Sequence, residues 1–233
     1  MRVPNNPILE TKANIEIDGI ESCTICGELC GRYDIAAWPQ LANRKVPSRI
    51  IEESQHFAIA ITLGPIVEGH CLLIPKKHVH SMSACSDSEK KEAVMLLAHV
   101  SRTLKDIYEK PVLYFEHGAV EGQSCKPCSI GHAHWHLIPT EVRPWDLWGE
   151  DEKWEKVVDP FAHRSADYLL TGGESRGYWI LHLAHDVPSQ LLRRRLAIKL
   201  NKEQDWDWKH NIGIERMLSS IEYYEKNAVK YNL

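Results

Sequence analysis

The feature that most restricts the fold is the run His132-Ala-His134-Trp-His136-Leu-Ile138. Three imidazoles at i, i+2 and i+4 share one face of an extended strand, and Ala133, Trp135 and Leu137 take the other. Stacking three histidines on one strand face forfeits apolar burial, and every ring nitrogen taken out of water then needs a partner. Such a strand has one chemical side and one core side. Two kinds of chemistry suit it: three imidazoles on one metal ion, as in catalytic zinc sites, or a neutral imidazole, unperturbed pKa ~6.5, acting as a nucleophile toward phosphorus. In the second case the middle ring, His134, is best placed to be flanked and oriented.

The surrounding sequence supplies a sheet and a helix. Phe57, Ile59 and Ile61 alternate, and Cys71 to Ile74 runs apolar. Between them lie a Gly64-Pro65 turn and Gly69, so two strands are expected. Ser86-Asp-Ser-Glu89 has the form of a capping box, after which Ala93, Leu97, Val100, Leu104 and Ile107 recur at helical spacing until Pro111. This predicts a helix over 87–109. Val112 to Phe115 reads as a strand, residues 116–131 as a loop with Gly and Cys, and His132 to Pro139 as another strand. The fold class is therefore α+β, a mostly antiparallel sheet with a packed helix.

Beyond Pro139 the chain is dense in Trp and charge, then shows a strand-like Tyr178 to Leu183, a helix-like Ser189 to Leu200 and a last helix over 213–226. Pro188 stands where a helix start tolerates it. The expected division is an N-terminal arm with a cysteine pair (1–45), a core domain (46–150) and a small α/β C-terminal extension (151–233). At 233 residues, one core with appendages is more economical than two independent domains.

Charge and cysteine usage exclude several classes. A formal net charge of −4 offers no general attraction to nucleic acid or anionic membranes, which favours a small-molecule substrate. The basic cluster Arg193-Arg194-Arg195 with Lys199 and Lys202 reads more simply as a solvated helix face than as an anion site. No basic start followed by an apolar run opens the chain, and no apolar run approaches the ~18 residues of a membrane span, so a cytoplasmic protein is expected. Seven cysteines, an odd number, suit thiols and a metal better than a disulfide framework.

The motif at 132–136 resembles the His-x-His-x-His pattern of the histidine-triad (HIT) superfamily of nucleotide hydrolases and transferases. Gly69-His-Cys-Leu-Leu-Ile-Pro75-Lys-Lys-His78 is similar to that family's Gly-His-x-Leu-x-Ile-Pro-Lys-x-His strand. Phe115-Glu-His-Gly118 before Cys128-Ser129 resembles a bacterial, diadenosine tetraphosphate hydrolase-like branch. Pro188-Ser-Gln190-Leu-Leu-Arg193-Arg194 with Trp206-Asp-Trp208 looks like that branch's C-terminal extension. The resemblance implies a HIT-like fold and a homodimer. It casts His134 as covalent nucleophile, His136 as hydrogen-bond donor to the phosphate and leaving group, and Ser129 as a phosphate contact. His117 and Gly118 fall where many members carry Asn and Gly, and Gln190 is a further candidate substrate contact. Thr62 stands where several hydrolases hold the ribose with Asp. Phe57 is a candidate wall for the base, beside the plainer reading of strand core. His at the third motif position favours hydrolysis through a nucleotidyl-histidine intermediate over transfer to a non-water acceptor. A zinc-stabilised nucleotide-binding regulatory protein is the alternative from a different class.

Cys23 and Cys26 have zinc-ligand spacing but lack a nearby second pair. Relatives in the superfamily complete such a pair with the histidine after the Ile-Pro-Lys strand and the first motif histidine, which here are His78 and His132. The resemblance therefore implies a structural zinc on Cys23, Cys26, His78 and His132. Alternative sets draw on Cys125, Cys128, Cys30 or His80, and the plainest alternative is reduced thiols without metal.

Overall fold

The computed structural model describes residues 23–32, 34–37, 48–119, 131–150, 152–162, 166–173, 179–183 and 187–228. In chain order the strands are β1 (Ile50–Glu53), β2 (Phe57–Ile61), β3 (Cys71–Pro75), β4 (Val112–Gly118), β5 (Trp135–Pro139), β6 (Glu155–Val157), β7 (Tyr168–Gly173) and β8 (Trp179–Leu183). The helices are α1 (Thr24–Leu29), α2 (Asp87–Tyr108), α3 (Leu191–Lys199) and α4 (Ile214–Asn227). Among the described residues one sheet contains all eight strands in the order β1-β2-β3-β5-β4-β7-β8-β6, every neighbouring pair antiparallel. The expected α+β class is what the chain forms.

Period-two alternation assigns the faces. Phe57, Ile59, Ile61, Cys71, Leu73, Tyr114, Ala133, Trp135 and Leu137 turn toward α2 and α4, joining Leu96, Val100, Leu104, Met217, Ile221 and Tyr224 in one core. The opposite face is covered in two parts. Ile25 of α1 packs on Ala60, Leu72 and Ile74, whereas Leu192 and Leu196 of α3 pack on Leu113, Phe115, Ile138 and Leu169. Between these two covers the sheet is open, and there the histidine face emerges.

The capping box forms as expected. The Glu89 backbone N–H donates to Ser86 Oγ over 3.4 Å, and the Ser86 N–H donates to Glu89 Oε2 over 2.6 Å. Its helix ends at Glu109, which adopts a left-handed conformation (φ 54°). Buried Glu116 ties the sheet together. Its carboxylate accepts from the Met82 N–H (2.8 Å), Trp135 Nε1 (3.1 Å) and the Tyr168 hydroxyl (2.9 Å), so a group that is costly to bury alone is fully engaged.

The structure corrects the sequence reading in several places. The regular ladder of β5 begins at Trp135 rather than His132, because His132 turns aside toward the cysteine pair and its carbonyl accepts from the His134 ring. β4 continues to Gly118, so His117 lies on a strand rather than in a loop. β1, β6, β7 and α1 had no clear signature in the sequence. β7 pairs along β4 from Leu113↔Gly173 to Gly118↔Tyr168, so the extension continues the core sheet. Consequently β1 and β6 are the outermost strands of that sheet.

Candidate active site and metal centre

A cavity of about 510 Å³ opens on the histidine face, bounded by Cys23 and Thr24 on the α1 side and by Gln190, Leu191, Leu192 and Arg193 on the α3 side. His134, His136, His117, Thr62 and Phe115 also line it. No carboxylate does, among the described residues.

Each motif histidine has a different partner, and the partners decide where its proton sits. His134 Nδ1 lies 2.8 Å from the His132 carbonyl oxygen. A carbonyl only accepts, so Nδ1 carries the hydrogen and Nε2 keeps its lone pair. His136 Nδ1 lies 2.9 Å from His70 Nε2, and the Ile66 backbone N–H is directed at His70 Nδ1 over 3.4 Å. His70 Nδ1 therefore accepts, its Nε2–H donates to His136 Nδ1, and His136 keeps its proton on Nε2. His132 Nε2 donates to the Pro75 carbonyl over 2.7 Å, which leaves Nδ1 unprotonated beside the cysteines. One face thus offers a lone pair at His134 and an N–H donor at His136, with ring centroids 4.9 Å apart.

Burial keeps these rings neutral. It pushes His134 down to about 4, against the opposing hydrogen bond to the His132 carbonyl. His70 and His136 are held well below the ordinary histidine range by burial, reinforced by Arg193 and by the neighbouring imidazoles, which resist a second charge. His136 stacks against Phe115, ring centroids 4.4 Å apart. At neutral pH the His134 lone pair is therefore not titrated away.

Arg193 overturns the solvated-helix reading for its own position. Only 3% exposed, it donates through Nε to the Trp206 carbonyl and through Nη2 to the Gly64 carbonyl. Nη1 has no partner among the described residues. Burial pushes its guanidinium down to about 10, still charged at neutral pH. Arg195, by contrast, is neutralised by Glu152 at 2.6 Å, and Arg49, also on the cavity wall, by Glu28 at 2.8 Å.

Other candidate positions divide. Thr62 lines the cavity with its hydroxyl donating to the Leu63 carbonyl over 3.2 Å. Gln190 lines it in a left-handed conformation at the start of α3, its amide donating to Asp207 over 3.1 Å. Gly118 lies off the cavity wall, and a Cβ there would come within 2.2 Å of the Tyr168 ring, so its smallness serves strand packing. Phe57 is corrected outright: fully buried, it faces α2 on the far side of the sheet and cannot touch a ligand among the histidines. Ser129, Cys125 and Cys128 lie outside the described residues. Two positions were missed. His70 sat in the quoted Gly69-His strand without a role, and Arg193 was hidden because charge on a helix normally faces water.

Four donors converge beside the cavity. Cys26 Sγ lies 3.2 Å from both His78 Nδ1 and His132 Nδ1, and Cys23 Sγ lies 3.7 Å from His132 Nδ1. All four ligand atoms fall within 4.8 Å of one another. A tetrahedral ion bonded to sulfur at about 2.3 Å and to nitrogen at about 2.0 Å separates neighbouring ligand atoms by about 3.3 to 3.8 Å, so the set fits. The Pro75 carbonyl orients the His132 ring for that role. The hydrogen bond between the two cysteines lowers the Cys23 thiol, aided by His132, and raises that of Cys26, so the pair readily gives up one proton. His134 and His136 are outside this group, which sets aside a three-histidine metal site; exposed Cys30 and half-buried His80 are outside it too.

The HIT domain model matches residues 43–142. An uncharacterized HIT-like protein of Mycoplasma genitalium is 32% identical over 102 residues, covering 42% of this chain and 68% of that relative. Protein hit of Bacillus subtilis is 25% identical over 121 residues, 51% of this chain and 71% of the relative. A crystal structure of a HIT family member from Bacillus subtilis aligns at 22% identity over 51% of this chain and 73% of its own, with a TM-score of 0.40. With His134 and His136 on the cavity wall and His132 turned to the cysteine pair, the chain belongs to the HIT family. The matched segment ends before β6, so three of the eight strands, α3 and α4 lie outside it.

Proposed function

We propose that this chain is a nucleotide hydrolase that cleaves at the nucleotidyl phosphorus through a covalent intermediate on His134, as in the diadenosine tetraphosphate hydrolase-like branch it resembles. The observation that carries this reading is the pairing of an unprotonated His134 Nε2 with a His136 Nε2–H donor on one cavity wall. The His134 lone pair forms the N–P bond as the P–O bond to the leaving group breaks, the leaving oxygen taking the bonding electrons. His136 Nε2–H donates a hydrogen bond to that oxygen or to the phosphoryl group. Water then attacks phosphorus, the N–P bond returns its electrons to Nε2, and the water proton passes to solvent. Two easier displacements replace one hard one. His117 and Gln190 bound the nucleotide's remaining space, and Ser129 is kept as a phosphate contact.

Structural zinc on Cys23, Cys26, His78 and His132 belongs to the same reading. Two cysteines and two histidines leave no open coordination position, so the ion would pin α1 against β3 and fix the backbone before β5 without activating water. The described cysteines are unpaired thiols, which suits the cytoplasm. No helix among the described residues is long and apolar enough to cross a membrane. Self-association also belongs to the reading. It would use the β1 edge or the exposed Val94 and Met95 of α2, and a monomeric mass by sedimentation would remove it.

Incubation with a panel of dinucleoside polyphosphates and nucleoside phosphoramidates, with mass spectrometry of the protein, tests the mechanism. The expected result is a nucleoside-monophosphate adduct on His134 and a loss of about 10⁴-fold or more in kcat for His134→Ala. Full turnover by that variant would sink the proposal. Tight binding without product across the panel would instead favour a nucleotide-binding regulatory protein, and product formed only with a non-water acceptor would favour a transferase.

A further inference from the structure

Arg193 is a buried cation that no carboxylate of the described residues pairs within salt-bridge distance. Asp207 and Asp205 offset its burial only from beyond that distance, Asp207 being engaged by Gln190 and His210 and Asp205 by Arg216, and a guanidinium taken out of water without a contacting counter-charge is costly, by several kcal/mol in general. Two of its three nitrogens are spent on the Trp206 and Gly64 carbonyls, which hold the side chain rigid. The third, Nη1, is unsatisfied among the described residues, in a side chain that lines the cavity with His134 and His136. The cavity wall also bears exposed Lys209 and, among the described residues, no acid. This constellation is completed by an anion.

We propose that Arg193 anchors a second anionic group of the substrate, distinct from the phosphorus that His134 attacks. This rests on the hydrolase reading above, and its test is chosen to fail separately. The first arm needs no turnover and no identified base. Inorganic phosphate, pyrophosphate and tripolyphosphate are titrated into the wild-type chain and into His134→Ala by calorimetry. The expected result is a gain of about 10-fold or more in affinity from phosphate to pyrophosphate, retained in His134→Ala and flattened in Arg193→Gln. A flat series in the wild type overturns the proposal, and needs no variant to fold. Where Arg193→Gln folds, an undiminished series in that variant overturns it as well.

The second arm compares kcat/KM for a dinucleoside polyphosphate and a nucleoside phosphoramidate of the same base. Arg193→Gln is expected to lose about 30-fold or more on the first and less than about 3-fold on the second. Equal losses on both overturn the anchor. If the wild type turns over neither, the hydrolase reading fails while the anion series still decides the role of Arg193.

Discussion

The matched HIT segment, residues 43–142, and the extension after it contribute to one cavity in different ways. The matched segment supplies neutral rings whose protons are positioned by hydrogen bonds to backbone groups, directly for His134 and His70 and through His70 for His136. The extension supplies fixed charge, in Arg193, and a clamp. That clamp closes on the loop between β2 and β3. Gly64 N–H donates to the Ile212 carbonyl (2.8 Å), Lys202 Nζ to the Ile66 carbonyl (3.0 Å), and Gly69 N–H to Ser220 Oγ (3.1 Å). Ile66 in turn orients His70, and His70 orients His136. A segment outside the family match therefore helps set the tautomer of a motif histidine. The comparison teaches that the motif is necessary for the chemistry but does not orient itself.

The comparison can be broken or sharpened by measurement. The largest effect on stability is expected on the arm side: Cys26→Ser should abolish stoichiometric metal by elemental analysis and lower the thermal midpoint by 10 °C or more, on the order of several kcal/mol. An unchanged midpoint with no metal in the wild type would remove the zinc. Next comes the clamp. Leu196→Ala empties a fully buried position under α3 and should cost about 2–5 kcal/mol in denaturant unfolding. If the extension were a separate unit, the transition would split into two while residues 43–142 kept their midpoint; a single lowered transition is expected.

His70→Phe breaks the orienting chain without emptying the space. It should lower kcat by about 10- to 100-fold with little change in KM, and His70→Asn, which can both accept and donate, should recover part of the loss. Equal activity of the Phe variant would show that His136 needs no outside orientation. The smallest effect is expected in pH. His70 and His136 are held well below 6.5 by burial, so below that value the unfolded chain takes up protons that the folded chain refuses. Their contribution is complete above about pH 6.5 and is lost as pH falls toward their folded values. The midpoint of unfolding should therefore decline from pH 6.5 downward, with a shallower slope in His70→Phe.

Much of the core was legible because its signals are local. Alternation in Phe57 to Ile61 and Ala133 to Leu137 gave the correct faces, and Ser86 with Glu89 marked the helix start. The cysteine pair and the two histidines implied by resemblance do converge on one point. The extension was harder to read. β7 ends in Gly172-Gly173 and carries no alternation, and β6 is three residues long with two exposed charges. Phe57 was misassigned as a ligand wall because alternation says which residues share a face but not which face holds the cavity.

By itself the sequence determined that three histidines alternate with apolar residues, that a core of mixed strands and helices lies behind them, and that a cysteine pair awaits two distant ligands. Those properties follow from side-chain periodicity and residue type. The tertiary structure alone decided which nitrogen of each ring carries its proton, and that one arginine of a basic helix faces inward. His132 takes its tautomer from a carbonyl 57 residues away, and Arg193 is held by one 129 residues away. No local pattern encodes a hydrogen bond between backbone and side chain across such separations, because it exists only once the sheet has brought the two segments together.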